Sequence, residues 1–248
     1  IVHLHIDRKQ KNNLRVAMFV STLKEAYEII GKPTTDNSKM GKNVLCWNTD
    51  PHECNTGSVL RKKKNSVCFD CYSIALCNFR DNVRVSYKNN FDKLLDAMTN
   101  LGPTKVAEIV SFVIQKKGRE WVRDRDGGDC VSPEEFDMWN EVAHANPGVG
   151  IWKPTKEAGW LRKFLRKHKD IPDNIVYRVS SPNVDQPPLK FEHTSVVYSK
   201  KKFDAVQETV SLVKCPAHEQ ENQCRDCKQC WNTEISTVVY PHRPKRRR

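Results

Sequence analysis

The sequence predicts an α/β fold with a parallel sheet, in the form of a partial or complete (β/α) barrel. Segments of strand and helix character alternate along much of the chain, about five or six strands are expected, and polar residues follow several of them. Alternation of this kind is typical of parallel βαβ units. Functional residues of such barrels lie beyond the carboxyl ends of the strands, so the polar positions there are candidate site residues.

The helices are predicted from apolar residues that recur three or four positions apart. One stripe covers residues 87–98 and a second covers residues 106–114. Ser132-Pro133-Glu134-Glu135 predicts a capping box with proline at the first helical position, opening a helix that ends near residue 146. A later helix is expected around residues 160–165.

The strands are predicted from short apolar and β-branched runs between turn residues. Strand candidates are residues 120–123, 149–153, 175–180, 195–198, 210–214 and 237–240. Residues 14–30 predict a helix, or a strand followed by a helix. Residues 41–82 are expected to be loop-like, because they are rich in Asn, Gly and Lys.

Length and composition set limits on the class of protein. The 248 residues suffice for one large domain or two small ones, and no apolar run approaches the ~18 residues of a membrane span. The net charge of +12 favours an anionic partner such as nucleic acid or a nucleotide, although a lysine-rich surface explains it equally well. We expect an N-terminal extension (1–36), a barrel-like domain (37–214) and a Cys-rich segment with a basic tail (215–248).

Ten cysteines occur mainly in two groups, and their spacing favours metal binding over disulfides. Cys54, Cys68 and Cys71 have the spacing C-x13-C-x2-C, in which the C-x2-C pair presents two thiolates from one tight turn. Three thiolates leave one iron of a [4Fe–4S] cluster without a protein ligand, and that iron can bind a small molecule. A fourth ligand from Cys46 or Cys77 and a zinc site are the alternatives.

The second group also predicts a metal centre. Cys215, Cys224, Cys227 and Cys230 have the spacing C-P-x7-C-x2-C-x2-C, and cysteines at successive spacings of three are typical of ferredoxin clusters. Four thiolates saturate a cluster, so its role would be electron transfer, structure or substrate contact. Zinc, or buried thiols without a metal, are the alternatives. The role of Cys130, like that of Cys46 and Cys77, is open.

Several motifs resemble the "gene product 88" family of bacteriophage proteins over residues 37–242. They are Asn37-Ser38-Lys39-Met40, Cys54-Asn55-Thr56-Gly57-Ser58, Asn65 to Tyr72, Asp126-Gly127-Gly128-Asp129, Trp152 to Lys156, Tyr177-Arg178-Val179-Ser180 and Cys215 to Trp231. The family resembles three-cysteine phage proteins that look like radical S-adenosylmethionine enzymes. The resemblance therefore implies a radical-enzyme-like barrel with a catalytic and an accessory cluster, in the cytoplasm of an infected bacterial host. The usual radical motif is C-x3-C-x2-C with an aromatic before the last cysteine, whereas Asp70 stands there in this chain.

The first hypothesis is a radical S-adenosylmethionine enzyme that needs an electron donor. In it, Asp126, Gly128 and Asp129 contact the ribose or amino group of the cofactor. Lys153, Thr155, Arg178 and Ser180 contact its carboxylate or the substrate. Alternatively, the two aspartates only form a turn, and Arg178 is a surface or ion-paired residue. No catalytic residue is assigned.

The second hypothesis is a metal-stabilised nucleic-acid-binding protein without catalysis. Basic residues concentrate in residues 61–64, in a predicted helix over 156–169 and in the tail 245–248. Such runs make phosphate contacts that weaken as salt increases. The alternative is a solvated helix face with a basic tail. The hypotheses combine if a radical enzyme modifies a nucleotide or nucleic acid.

Overall fold

A computed structural model describes residues 20–35 and 37–242 and contains an eight-stranded sheet. The strands are β1 (Thr34–Thr35), β2 (Val44–Trp47), β3 (Trp121–Asp124), β4 (Gly150–Thr155), β5 (Ile175–Ser180), β6 (Thr194–Tyr198), β7 (Leu212–Lys214) and β8 (Thr237–Pro241). Their order is β1-β2-β3-β4-β5-β6-β8-β7, and only the β1–β2 pair is antiparallel. The predicted α/β class is confirmed, with a mostly parallel sheet that does not close within the described residues.

Eight α-helices occur within the described residues. They are α1 (Leu23–Ile30), α2 (Asn55–Leu60), α3 (Tyr72–Phe79), α4 (Asp81–Asn100), α5 (Gly102–Lys117), α6 (Glu135–Ala145), α7 (Ala158–Lys167) and α8 (Lys200–Asp204). Helices α4 and α5 contain the two predicted apolar stripes. Helix α1 covers the described end of the 14–30 prediction, and residues 14–19 lie outside the described residues. No helix of the described ranges combines the length and apolar character that crossing a bilayer requires.

The sheet separates two unequal layers, because successive side chains of a strand point to opposite faces. Leu45, Val122, Ile151 and Tyr177 belong to the main core, which they share with buried residues of α1, α4, α5, α6 and α7. On the other face, Trp152 packs with residues of the loop before β2 and of the segment before β8. The cysteine-rich segment is therefore packed on the sheet face opposite the main helices.

The predicted capping box at Ser132 is wrong. Helix α6 begins at Glu135, Glu134 precedes it without a side-chain cap, and the Ser132 hydroxyl has no hydrogen-bond partner. The Glu135 carboxylate instead accepts a 2.8 Å hydrogen bond from the Val131 amide and is buried among charged side chains. A reciprocal capping box does begin α1, where Thr22 and Glu25 bond each other's backbone amides.

The loop-like expectation for residues 41–82 is also wrong. This stretch contains β2, α2 and α3, so the sheet has more strands than the predicted five or six. All four residues of β2 are buried, so the strand lacks the alternation of apolar and polar residues that marks a half-exposed strand. Its four residues are flanked by Asn, Gly and Lys, so the sequence around β2 predicts a loop instead of a strand.

Candidate functional site

Cys54, Cys68 and Cys71 come together at the carboxyl ends of the first parallel strands. Cys54 is the residue before α2 and Cys71 the residue before α3, and neither side chain caps its helix. Burial raises the pKa of the Cys54 and Cys68 thiols, the nearby Asp129 and Cys71 raise it further, and the Lys156 ammonium opposes these effects. All ten cysteines are free thiols, so no disulfide competes for these sulfurs.

Gly57 packs closely against Cys54 and lies beside two of these sulfurs. A side-chain carbon at this position would lie 3.6 Å from Sγ of Cys54 and 4.0 Å from Sγ of Cys68. The same carbon would lie only 2.8 Å from Cβ of Cys54, which is closer than real side chains approach. Close packing therefore favours glycine at this position, one helical turn after Cys54, and the thiols of Cys54 and Cys68 both lie beside it.

The loops after β3 and β4 hold the helix that follows Cys54. Asp129 accepts hydrogen bonds from the Thr155 hydroxyl (2.7 Å) and the Lys156 amide (2.9 Å), and the Thr155 hydroxyl accepts one from the Glu157 amide (2.9 Å). The Glu157 carboxylate accepts bonds from the Thr56 amide and hydroxyl, both at 2.8 Å, and from the Asn55 amide group at 3.1 Å. Carboxylates from the strand ends thus fix the start of α2.

Asp126 and Gly128 form the inner part of the loop after β3. The Asp126 carboxylate pairs with Arg123 at 2.7 Å and accepts a 2.9 Å bond from the Tyr72 hydroxyl. Burial would raise the pKa of Asp126, but Arg123 and Lys39 hold it below its usual value. Gly128 has φ +88°, and a side-chain carbon there would lie 2.7 Å from the Thr49 carbonyl oxygen, so glycine is required.

Lys153 belongs to a buried ionic cluster. Its ammonium contacts the Asp124 carboxylate and lies 2.9 Å from Glu135, and Arg125 contacts the same two carboxylates. Burial raises the pKa of Asp124 to about 6 against the attraction of the two cations. For Glu135 the two cations outweigh burial and lower the pKa to about 2. Both carboxylates are therefore ionised at neutral pH, and the four charges cancel.

Arg178 is fully buried on β5 and donates to five backbone carbonyls. The acceptors are the carbonyls of Thr194 (3.0 Å), Cys230 (3.4 Å), Asn232 (3.4 Å), Ile235 (3.0 Å) and Ser236 (3.4 Å). Ser180, at the end of the same strand, forms a 2.9 Å hydrogen bond with the Ser195 hydroxyl. Arg178 is thus neither a surface residue nor part of the space around the three cysteines.

The four-cysteine group is attached to the sheet by backbone bonds. The Cys215 amide donates to the Val239 carbonyl (2.8 Å), and the Cys224 amide donates to the Lys39 carbonyl (2.6 Å). Burial raises the pKa of Cys215, and the neighbouring Cys224 and Cys227 add to that rise. Burial also raises the pKa of Cys230 to about 12, although a 3.0 Å bond with Tyr240 and the charge of Arg178 oppose it.

The two cysteine groups are joined by a short series of contacts. Sγ of Cys224 lies 3.9 Å from Sδ of Met40, which lies 3.2 Å from Nη1 of Arg123. Arg123 pairs with Asp126, and Asp126 accepts from Tyr72, the residue after Cys71. Strand β3 and the loop after it therefore link the two groups through Arg123 and Asp126.

The remaining cysteines lie near the same loops: burial raises the pKa of the Cys77 thiol, and the nearby Asp50 and Cys71 raise it further. Cys46, Cys77 and Cys130 are buried, and weak contacts connect Cys46 to Asn48 (3.6 Å) and Cys130 to Thr155 (3.7 Å). Burial raises the pKa of the Cys46 thiol to about 12.

The candidate ligands of both groups are thiols, the donor type that iron–sulfur clusters and zinc share. No group of three or more His, Cys, Asp or Glu side chains in residues 20–35 and 37–242 is arranged to hold a metal ion.

Sequence reasoning missed several residues that build the site. Glu157, Tyr72, Arg123 and Gly57 all contact the cysteine segments or the loops that hold them. Gly57 alone had a usable signal, because a glycine one helical turn after a candidate ligand indicates close packing. The other three act through contacts between distant segments, which spacing does not reveal.

A family model described as Gene product 88 matches residues 24–233. No curated protein and no solved structure matches the chain. The comparisons give no support to a likeness with radical S-adenosylmethionine enzymes.

Proposed function

This chain belongs to the Gene product 88 family of bacteriophage proteins, and we propose that it is an iron–sulfur protein with radical-enzyme activity. In this proposal Cys54, Cys68 and Cys71 hold a cluster with one open iron, and the four-cysteine group holds a second cluster. The substrate is a nucleotide, a nucleic acid or another anionic molecule. The protein would act in the cytoplasm of the infected host.

The observation that carries the proposal is the convergence of the three cysteine thiols beside Gly57. A side-chain carbon at Gly57 would lie within 4.0 Å of Sγ of both Cys54 and Cys68, and Cys71 lies near enough to raise the pKa of both thiols. Three free thiols at the carboxyl ends of parallel strands occupy the place where α/β enzymes bind their ligands. Three ligands, rather than four, leave one iron available to a small molecule.

The chemistry of such a group is well defined. When bound, a reduced [4Fe–4S] cluster with an open iron supplies one electron to S-adenosylmethionine, which yields methionine and a 5′-deoxyadenosyl radical that abstracts hydrogen. The protein binds and orients the reactants and excludes water. An external one-electron donor is required.

Position relative to the three cysteines divides the candidate cofactor-binding residues into two sets. Asp129, Thr155 and Lys156 lie beside the three cysteines, so they are the residues proposed to orient the cofactor. Lys153 and Arg178 are 0% exposed and engaged with other protein groups, so we assign them a supporting role. Asp126 and Gly128 shape the loop that carries Asp129.

The test is an anaerobic assay of the iron- and sulfide-reconstituted chain with dithionite and S-adenosylmethionine. The proposal predicts formation of 5′-deoxyadenosine by the wild type and none by Cys71→Ser. Cys46→Ser, which changes a buried thiol outside the proposed ligand set, is the matched control and should retain cleavage. A chain that carries clusters and yet cleaves no cofactor would refute the radical activity while leaving metal binding intact.

One surface favours a second candidate, a non-catalytic nucleic-acid-binding protein stabilised by metal. Helix α7 buries Leu161 and Phe164 and exposes its cations, which are Arg162, Lys163, Arg166 and Lys167. The tail 245–248, also part of this hypothesis, lies outside the described residues. A duplex-DNA titration at increasing salt tests it: binding that weakens steeply with salt, by a colourless zinc-containing protein, would select this candidate.

A further inference from the structure

Arg178 is a buried cation that lacks a carboxylate partner among the described residues. A guanidinium has five N–H donors, and here the five bonds end on carbonyl oxygens of residues 194, 230, 232, 235 and 236. Carbonyls satisfy the hydrogen bonds but carry no net charge. Lys153 and Arg125 differ from Arg178 in this respect, because each of them contacts two carboxylates.

An uncompensated charge in a protein interior is unfavourable by several kcal/mol. The ionisable side chains that interact with Arg178 are those of Cys230 and Tyr240, and Nε of Arg178 donates to the Cys230 carbonyl at 3.4 Å. These two side chains are bonded to each other at 3.0 Å, and Cys230 is one of the four clustered cysteines. A metal bound to Cys230 would convert its thiol to a thiolate and so place negative charge beside Arg178.

We propose that Arg178 is the built-in counter-ion of the four-cysteine site, which therefore takes a metal–thiolate centre of net negative charge. A cubane cluster and a zinc ion each carry net negative charge when four thiolates bind them. Arg178 therefore indicates the sign of the charge of the bound centre and does not distinguish between the two metals. It rests on the part of the proposed function that places a metal at Cys215, Cys224, Cys227 and Cys230.

The same contacts give Arg178 a positioning role. Four of its five acceptors belong to residues 230–236, which begin with the last cysteine and lead into β8. Trp231, within this segment, packs on Trp121 and Trp152 and donates to the Val122 carbonyl at 2.8 Å. A cation on β5 and an aromatic cluster on β3 and β4 thus hold the last ligand against the sheet.

Two substitutions at Arg178 distinguish the effect of its charge from the effect of its hydrogen bonds. Arg178→Met removes the cation and keeps an unbranched chain, whereas Arg178→Lys keeps the cation and loses most of the donors. After anaerobic reconstitution, iron and sulfide per chain are measured together with the reduction potential of the second centre. We expect Arg178→Met to lose about half of the bound iron, the share of one of two clusters, and Arg178→Lys to retain clearly more. Any centre left in Arg178→Met should have a more negative potential, since a nearby cation favours the reduced form.

Arg162→Met, on the exposed face of α7, is the matched control and should bind as much iron as the wild type. Full iron in Arg178→Met, or equal losses in the two Arg178 variants, would overturn the inference and leave the proposed function standing. A wild type without any metal overturns the proposed function as well. If the variants do not fold, hydrogen exchange of the wild type decides: amides of residues 230–236 should gain protection on metal loading, and unchanged protection would contradict the proposal.

Discussion

The two cysteine groups are supported by opposite kinds of charge. Around the first group, the carboxylates of Asp129 and Glu157 accept bonds from the backbone and hydroxyls of α2 and of the loop after β4. Around the second group, the guanidinium of Arg178 donates to carbonyls. A carboxylate accepts hydrogen bonds from amides, as at the start of a helix, whereas a guanidinium donates hydrogen bonds to the carbonyls of an irregular segment.

This difference separates a site built on regular elements from one built on a loop. Cys54 and Cys71 precede helices whose positions depend on the strand ends, whereas the four later cysteines lie in turns and short 3-10 helices. We therefore expect substitutions at the strand ends to affect the whole domain and the first site. Substitutions around Arg178 should affect the second site alone.

The largest effect is expected for Lys153→Met. This change leaves Asp124 and Glu135 buried with Arg125 as their remaining cation, which is expected to reduce the free energy of unfolding by about 3–5 kcal/mol. Urea unfolding of the metal-free chain measures it. Lys167→Met, on the exposed face of α7, is the control and should change stability by less than ~0.5 kcal/mol. Similar values for the two variants would mean that the buried ionic cluster does not stabilise the strand ends.

A smaller and more local effect is expected for Glu157→Gln. An amide group cannot accept all three bonds that the carboxylate accepts from Asn55 and Thr56, so the change should cost about 1–3 kcal/mol. Metal should be lost from the three-cysteine site and kept at the four-cysteine site. Glu134→Gln, at an exposed position just before α6, provides the control for charge removal. Equal loss from both sites would show that the two supports are not independent.

The smallest effect on stability, and a specific one on metal binding, is expected for Gly57→Ala. The added methyl would meet Cβ of Cys54 at 2.8 Å, so Cys54 must shift, and it would lie 3.6 Å from Sγ of Cys54 and 4.0 Å from Sγ of Cys68. Gly159→Ala makes the same change in α7, where no atom lies within 4 Å, and should stabilise that helix by about 0.5–1 kcal/mol. Iron content should fall in the first variant and stay constant in the second. Normal iron in Gly57→Ala would argue against a cluster at this position.

The sequence predicted the regular elements better than the contacts between them. Helices α4 and α5 and strand β5 followed from periodicity, because each buries one stripe or one continuous run against the core. Strand β2 was missed because its four buried residues have no alternation. The Ser132 prediction failed because Glu135 serves the ionic cluster instead of a helix cap.

In the candidate site, too, the sequence predicted local features but not the contacts between distant residues. Cysteine spacing identified both groups of candidate ligands, since spacing is a property of the chain itself. Lys153 and Arg178 were assigned to cofactor contacts because they follow or occupy strands, and their burial depends on partners 16 to 58 residues away. No local pattern distinguishes a lysine that faces an active site from one that neutralises two carboxylates.

The central claim is that both cysteine groups bind iron and sulfide. The most direct test is to purify the chain without oxygen, record its visible spectrum and measure iron, acid-labile sulfide and zinc. The proposal predicts a brown protein with about eight irons and as many sulfides per chain, falling by half when Cys71 or Cys227 is replaced by serine. A colourless protein that contains zinc, or no metal after reconstitution, would contradict it.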